Sequence, residues 1–401
     1  MIRTTTFAVA ALCALVACKQ ERGREAVEPP GVAGAGAVPI TESWAMPRMV
    51  AVGGLGDGLF ALPAVSHRGL TLVPIATTEP STEDYLVLDD AMAEGLVEIS
   101  ERGPVSSLTI RNKSTRPLFL LAGEVVIGGK QDRIIGKNTI IAGASTEELP
   151  VFCVEHGRWS GRQATFSTAS ALAHSTLRQK ASFDDQGEVW QEVSAKNAKR
   201  RTTNGTDTYR QTAAQQSGAE LAAWDEALDT QLRALGADIQ PMVVGYAVAL
   251  GGEIVALDVF DSPKLFARLD RKLRRSYYAE AVDVEAAPGA PVPTADAVRA
   301  FMVKADAAPD EAAYGNAEAD TVNQIGDDAA STRVMSKRAF AGKGKPKPVF
   351  KSVQKRAKGA PTDRRPGRGL GNDDASDGAD EEQLILPPQQ QRAIPRPTRV
   401  N

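Results

Sequence analysis

Charged residues are unusually dense in an apolar stretch of the chain, residues 117–159. This stretch holds the strand-like runs Leu118-Phe119-Leu120-Leu121 and Val151-Phe152-Cys153-Val154, interspersed with charged residues that include Glu124, Lys130, Asp132, Arg133, Glu155 and Arg158. An isolated ion is costly to bury beside apolar side chains. These charges must therefore pair with one another or face a bound ligand.

The spacing within this stretch predicts which side chains share a face. If residues 149–159 are extended, alternation places Glu155 on the same face as Val151 and Cys153, with Arg158 on the opposite face. Gly128 and Gly129 allow a bulge or a close backbone approach, a device often found beside functional sites.

These observations select a set of candidate ligand-binding or catalytic residues: Glu124, Lys130, Gln131, Arg133, Glu155, Arg158 and Trp159. In one interpretation they converge on a pocket, where the basic members hold a carboxylate or phosphate and the acids act as general bases or hydrogen-bond acceptors. In the other, the charges form a structural salt-bridge lattice that pins irregular strands together. The residue types leave both interpretations open.

The sequence lacks complete motifs for dinucleotide binding, phosphate-loop binding and metal binding. The glycines of residues 53–58 precede a segment that contains Pro63 and looks extended, whereas a dinucleotide fingerprint must open a helix. Residues 123–130 miss the phosphate-loop spacing by one residue, and Gln131 stands where Ser or Thr should hold magnesium. Cys153 and His156 form one isolated pair without a second pair at metal-ligand spacing. We therefore expect no metal and no cofactor.

The N-terminus resembles a bacterial lipoprotein signal. A short basic start is followed by an apolar run over residues 7–17 and by Leu15-Val16-Ala17-Cys18, and this run is too short to span a membrane as a helix. By this resemblance, residues 1–17 are a signal peptide, Cys18 is lipidated, and residues 18–38 are a flexible linker. The expected location is the bacterial cell envelope, lipid-anchored at the outer membrane.

Charge is nearly balanced over the whole chain but not at its C-terminus. The formal net charge is −3, which does not favour nucleic acid as a partner. Residues 341–401 are basic and then acidic, and they contain few aromatic residues, so we predict a disordered tail. The folded domain is predicted to occupy residues 39–340.

Hydrophobic periodicity predicts an α+β fold. Its N-terminal half is rich in short strands that form an antiparallel or barrel-like sheet, predicted at residues 70–76, 85–88, 96–100, 105–111, 117–121, 124–127, 132–142 and 149–155. The C-terminal half is predicted to contain helices at 187–200 and 213–235, a hairpin at 242–260 with Gly251-Gly252 at its turn, a helix after Ser262-Pro263, a helix at 294–307 and a strand at 332–335. The basic residues of the helix after Pro263 are expected to be solvated.

The charged stretch also carries a family resemblance. The segments 117–124, 129–133, 150–151, 153–155 and 157–159, followed by Asp258-Val259-Phe260, Pro263 and Lys272-Leu273, resemble the ARG and rhodanese-phosphatase-superfamily-associated protein domain. The resemblance covers most of residues 65–340. The family has no established reaction, and its name records gene-neighbourhood association with ADP-ribosylglycohydrolases and rhodanese-like phosphatases. The resemblance therefore implies a nucleotide-linked or ADP-ribose-linked role.

Three functions follow as hypotheses. The first is a membrane-tethered binding or interaction module whose charged cleft holds a small anionic ligand or a peptide; this one, without catalysis, is favoured because no nucleophile, metal site or cofactor loop is evident. The second is a hydrolase of a phosphoester or ADP-ribose-like bond, with Glu124 or Glu155 as the general base. The third is a structural envelope protein that grips an anionic polymer through its basic tail.

Overall fold

The computed structural model describes residues 52–161, 164–239, 242–284, 289–338 and 347–356. These residues form the predicted α+β fold. The strands are β1 (Gly53–Gly56), β2 (Leu59–Ala61), β3 (Val65–His67), β4 (Leu70–Thr77), β5 (Leu86–Val87), β6 (Val97–Ser100), β7 (Ser107–Asn112), β8 (Leu118–Leu120), β9 (Glu124–Gly128), β10 (Arg133–Ile135), β11 (Thr139–Ile141), β12 (Ser145–Cys153), β13 (Phe166–Leu172), β14 (Val243–Leu250), β15 (Glu253–Phe260), β16 (Glu311–Gly315), β17 (Ala319–Ile325), β18 (Ala329–Ser336) and β19 (Phe350–Lys355). The helices are α1 (Leu88–Ala93), α2 (Ser175–Phe183), α3 (Gln186–Arg200), α4 (Arg210–Gln215), α5 (Ala219–Ala234), α6 (Pro263–Ala281) and α7 (Ala295–Met302).

The largest sheet is antiparallel and buried on both faces at its centre. Its order is β1-β2-β4-β14-β15-β19-β18-β17-β16, with β3 added beside β4. Along β14, Tyr246 and Val248 pack toward α6, whereas Val244 and Ala247 pack toward α7. Burial on both faces explains why the hairpin strands read as continuous apolar runs.

The predicted hairpin is confirmed, and so is its turn. Strands β14 and β15 pair antiparallel, and the turn residues Gly251 and Gly252 have φ values of 57° and 88°. Both lie in the left-handed region that only glycine enters without strain, as a primed two-residue turn requires.

The second sheet carries most of the charged stretch. Its order is β13-β9-β10-β12-β7-β6, and a single bridge between Ser100 and Thr165 brings its two outer strands together. One face packs on a core shared with the small sheet β11-β8-β5, and the other is covered by α2, α3 and α4. The barrel-like sheet expected in this half of the chain is therefore present as a strongly curled sheet.

Two segments that were each predicted as one element contain two elements in the structure. Residues 132–142 form β10 and β11, which belong to different sheets, because the intervening Gly136 donates its N–H to the carbonyl oxygen of Pro150 and Asn138 caps the N–H of Ala122. Residues 213–235 likewise contain the end of α4 and all of α5. The prediction of one element was wrong in both places, since a long periodic pattern does not reveal where a short break falls.

Strand β19 lies inside the segment for which the sequence predicts a disordered tail. It pairs with β15 on one side and β18 on the other, and Phe350 and Val353 are fully buried. The ordered body therefore extends beyond residue 340, to Arg356 at least.

Helix α6 begins as predicted, but its basic face is solvated only in part: Arg271 is exposed, whereas Lys272 and Arg274 are buried. Ser262 caps its first turn and Pro263 follows. Three of its basic residues are engaged by acids: Lys272 by Asp89 and Glu124, Arg274 by Asp229 and Asp270, and Arg275 by Asp225. Much of the helix is buried between the large sheet and the rest of the body.

No helix in the described parts of the chain is both long and apolar enough to cross a membrane. The predicted signal peptide, Cys18, the linker and residues 357–401 of the predicted tail lie outside the described residues.

Candidate functional site

A cleft of about 680 Å³, lined by glycines and by polar and charged residues, opens beside the turn between β9 and β10. It is lined by residues from three segments: Gly128 and Gly129; Glu155 and Arg158; and Asn204, Gly205, Thr206, Thr208, Arg210 and Gln211. Of the residues predicted from the sequence, Glu155 and Arg158 belong to this lining.

The first wall is the turn 128–132, which glycines make possible. Gly129 has a φ of 53°, and a β-carbon there would lie 2.4 Å from the ring of Phe166. The turn ends at Asp132, which is fully buried. This carboxylate anchors the cleft, because residues of all three segments donate hydrogen bonds to it.

The donors to Asp132 are the N–H of Gly128 (3.2 Å), Arg158 Nη2 (3.4 Å), Thr208 Oγ1 (2.9 Å), and Arg210 through both Nε (2.9 Å) and Nη2 (2.7 Å). Such charge-assisted bonds are strong, and the forked contact also sets the orientation of the Arg210 guanidinium.

The second wall follows β12 and carries Glu155 and Arg158. Arg158 Nη2 donates to Glu155 Oε2 at 2.7 Å, and Nη1 donates to the carbonyl oxygen of Gly129 at 2.7 Å. Glu155 also accepts from the N–H of Asp132 (3.1 Å) and from Thr206 Oγ1 (2.9 Å). Glu155 thereby connects all three walls of the cleft.

The third wall is the loop 202–210 between α3 and α4. Asn204 organises it: Nδ2 donates to the carbonyl oxygens of Thr202 (3.0 Å) and Thr208 (3.1 Å), while Oδ1 accepts from the N–H groups of Thr206 (3.3 Å) and Thr208 (3.1 Å). The sequence marks this region only as a polar loop with an Asn-Gly-Thr turn, and the set of predicted site residues omits it. Its nearness to Glu155 depends on a contact across 51 positions of sequence.

The titration of the cleft residues follows from these contacts. Burial acts to raise the pKa of Glu155, but hydrogen bonds from Arg158, from the N–H of Asp132 and from Thr206 outweigh it and lower that pKa below its usual value. The hydrogen bond to Glu155 raises the pKa of Arg158, and the hydrogen bonds to Asp132 raise that of Arg210. Glu155, Arg158 and Arg210 therefore keep their charges at neutral pH.

The remaining predicted residues lie apart from the cleft lining. Glu124 is buried and accepts from Lys272 Nζ at 2.8 Å, and Lys272 also contacts Asp89 at 2.6 Å. Arg133 is fully buried and pairs with Glu101 at 3.3 Å. The salt-bridge interpretation thus describes these two residues, whereas Glu155 and Arg158 are both paired and open to the cleft.

Three further candidates lie close in sequence to the cleft residues but are not part of the lining. Gln131 is fully buried, and neither of its amide atoms has a hydrogen-bond partner among the described residues. Lys130 is exposed and forms no ion pair with any described residue; its backbone N–H donates to Glu101. Trp159 is 56 % exposed.

Cys153 and His156 do not act together. Cys153 is buried, burial raises the pKa of its thiol, and Gln186 holds its backbone N–H and carbonyl oxygen at 2.8 Å each. The exposed His156 instead packs its ring edge-on against Trp190. These contacts are those of a small buried hydrophobe and a surface aromatic pair.

Comparison with known proteins gives one match. Residues 59–345 match the family model described as the ARG and Rhodanese-Phosphatase-superfamily-associated Protein domain. Searches of curated proteins and of solved structures gave no significant match. Because the matched residues make up most of the chain and include all three walls of the cleft, the protein belongs to the ARG and Rhodanese-Phosphatase-superfamily-associated Protein domain family.

Proposed function

We propose that the protein is a binding module whose cleft holds a small anionic ligand, either a free molecule or an acidic group of a peptide. The observation that carries this proposal is the distribution of free hydrogen-bonding groups. Both carboxylates of the cleft are occupied by internal donors, whereas donors remain unused on the arginines.

The hydrogen-bond inventory favours a ligand rich in acceptors. A carboxylate offers about four acceptor sites. Asp132 receives five hydrogen bonds and Glu155 three. By contrast, Arg210 Nη1 and Arg158 Nε make no hydrogen bond to any described residue. A cationic ligand would find few acceptors here, and an anion would find preorganised donors.

The local charge balance points the same way. At the cleft, the carboxylates of Asp132 and Glu155 are balanced by Arg158 and Arg210, and among these residues the charge of the exposed Lys130, next to Gly129, is in excess. The excess charge can be assigned to Lys130, which has no acidic partner among the described residues. An exposed ammonium on the residue after Gly129, which lines the cleft, suits the recruitment of an anion.

Hydrolysis is the weaker alternative. A general base works best when its pKa lies near the working pH, and the hydrogen bonds that lower the pKa of Glu155 move it away from that range. Glu124, the other candidate base, is buried against Lys272 and does not line the cleft.

The proposed setting of this module is the bacterial envelope. Its support is the signal-like start of the chain, with Leu15-Val16-Ala17-Cys18 before a linker rich in small residues. A lipid on Cys18 would hold the domain at the outer membrane. The basic part of the tail would then add contacts to an anionic envelope polymer.

Titration calorimetry of the full chain with inorganic phosphate and with acetate tests the binding proposal. Arg210→Gln should weaken binding of the better anion about 10-fold or more, as expected for loss of a charge-assisted hydrogen bond. Arg233→Gln, at an exposed arginine of α5 outside the cleft lining, is the matched control and should change little.

Because Arg210 also binds the buried Asp132, its replacement can change stability as well as binding, and a second variant separates the two effects. Lys130→Gln removes a cation that stabilises no described carboxylate, so it should weaken anion binding while leaving the melting temperature unchanged. Lys264→Gln on α6 is its control. Failure of both anions to bind the native chain at millimolar concentration would refute the proposal, as would unchanged binding in both cleft variants.

A further inference from the structure

The turn 157–161, here called the rim segment, joins two walls of the cleft. At its start, the N–H of Gly157 donates to the carbonyl oxygen of Thr206 at 2.9 Å, and a β-carbon on Gly157 would lie 2.9 Å from Thr206 Cα. At its end, a β-carbon on Gly161 would lie 2.0 Å from the carbonyl oxygen of Gly129. Backbone therefore packs directly on backbone at both ends, which requires glycine.

The middle of the rim segment is held by the Arg158 side chain. Its Nη1 donates both to the carbonyl oxygen of Gly129 (2.7 Å) and to that of Ser160 (3.2 Å), so the segment curls around its own guanidinium. The backbone on either side of Trp159 is thereby fastened to the cleft.

Trp159 itself is left uncovered. Its side chain is 56 % exposed, and among the large exposed hydrophobic side chains of the described residues it is the only aromatic one. A tryptophan offers a large, rigid ring with few rotamers to lose, which is why this residue is common where proteins contact ligands and partners. Here the exposed ring belongs to the residue that directly follows Arg158, which lines the cleft.

We propose that the ligand is an oxyanion joined to an aromatic or heteroaromatic ring, with the ring stacked on Trp159. The oxyanion is held by Arg210 and Lys130, and the rim segment sets the separation between the ring and the anion. Aryl phosphates and nucleotide phosphates share this chemistry. This inference rests on the proposed anion-binding function. It adds that the ring of the ligand, stacked on Trp159, makes binding selective.

Two phosphate probes, one with an aromatic ring and one without, separate the contributions. Calorimetry of the full chain should show phenyl phosphate binding about 10-fold more tightly than inorganic phosphate, the scale of one stacked ring. Trp159→Ala should abolish that advantage and leave inorganic phosphate affinity unchanged, whereas Trp159→Phe should retain most of it. Arg210→Gln should weaken both probes.

Fluorescence gives an independent readout. Phenyl phosphate should quench tryptophan emission of the native chain at the concentration that saturates the heat signal, and Trp159→Phe should lose this quenching although Trp44, Trp190 and Trp224 remain. Adenosine monophosphate in place of phenyl phosphate then asks whether a nucleobase is preferred to a simple phenyl ring.

The outcomes separate the two proposals. If inorganic phosphate and phenyl phosphate bind equally, or if Trp159→Ala keeps the ring advantage, the stacking inference is overturned while the anion-binding function stands. If neither probe binds the native chain, both fall. Because the Trp159 side chain is mostly exposed, its variants should fold normally, and an unchanged melting temperature verifies this.

Discussion

Asp261 shows how a single side chain can make stability depend on pH. It follows β15 directly, and its Oδ1 atom is buried without a hydrogen-bond partner among the described residues. Burial raises the pKa of Asp261 to about 7, which a hydrogen bond from Ser81 partly opposes. The folded state therefore holds a proton that the unfolded chain, with the ordinary pKa of 3.8, releases earlier.

The sign of the effect follows from this difference. Between about pH 4 and pH 7 the folded state binds more protons at Asp261 than the unfolded state, so this residue makes the protein less stable as pH rises. Asp261→Asn keeps the shape and removes the charge. The variant should exceed the native chain in unfolding free energy by about 1 to 3 kcal/mol at pH 8, because the native chain then carries a buried charge whose desolvation the variant avoids.

Urea unfolding at pH 4.5 and pH 8 measures this prediction. The difference between the variant and the native chain should nearly vanish at the lower pH. An equal difference at both pH values would mean that the charge of Asp261 is not the cause. Asp283→Asn, at an aspartate already paired with Lys196 and Arg200, is a contrasting control that should destabilise at pH 8.

At the scale of elements, α6 forms ion pairs with residues that are distant from it in the sequence. Lys272 lies between Asp89 of α1 and Glu124 of β9, and only 8 % of its side chain is exposed. Removing the ammonium would leave two carboxylates close together without their cation. Breaking a buried ion pair in this way usually costs more than the pair contributes when intact.

Lys272→Met should therefore lower the unfolding free energy by about 3 to 5 kcal/mol. Lys264→Met, at an exposed lysine of the same helix, should change it by less than about 0.5 kcal/mol. Thermal and urea denaturation of both variants check this. Should Lys272→Met prove as stable as Lys264→Met, the buried lysine would not be what joins α6 to β9.

At the scale of the whole molecule, β19 is an interior strand of the large sheet, although it lies C-terminal to the domain boundary predicted at residue 340. It lies between β15 and β18, and its removal would expose both neighbouring edges and the apolar core beneath Phe350 and Val353. A chain that ends at residue 346 should fail to fold cooperatively, whereas one that ends at residue 356 should fold like the full chain.

Circular dichroism and thermal melting of the two truncated chains measure this difference. Cooperative melting of the shorter chain at the native temperature would contradict the role of β19. The same comparison sets the boundary for testing the tail, since a truncation after residue 340 would damage the fold together with any tail contact.

The lipid anchor that the sequence predicts at Cys18 can be tested on the whole chain. If Cys18 is lipidated, Cys18→Ser should abolish incorporation of labelled palmitate and release the protein from bacterial membranes, whereas Cys13→Ser should leave the label in place. Labelling of the Cys18→Ser variant to the native level would refute the lipid anchor.

The sequence by itself determined the features that depend on neighbouring residues. The family, the α+β class, the β14–β15 hairpin with its two glycines, α3, the start of α6 and the charged stretch 117–159 were all predicted. Turn chemistry, caps and periodicity act over a few positions, so they can be read in one chain.

Only the tertiary structure decided which charges meet. It directed Glu124 to Lys272, 148 positions away, and brought the loop 202–210 against Glu155 and Asp132 to form a wall that the sequence did not indicate. It also placed β19 inside the large sheet. These pairings are made between segments distant in the chain, where the partner that removes an ion's burial cost is chosen by packing and not by local pattern.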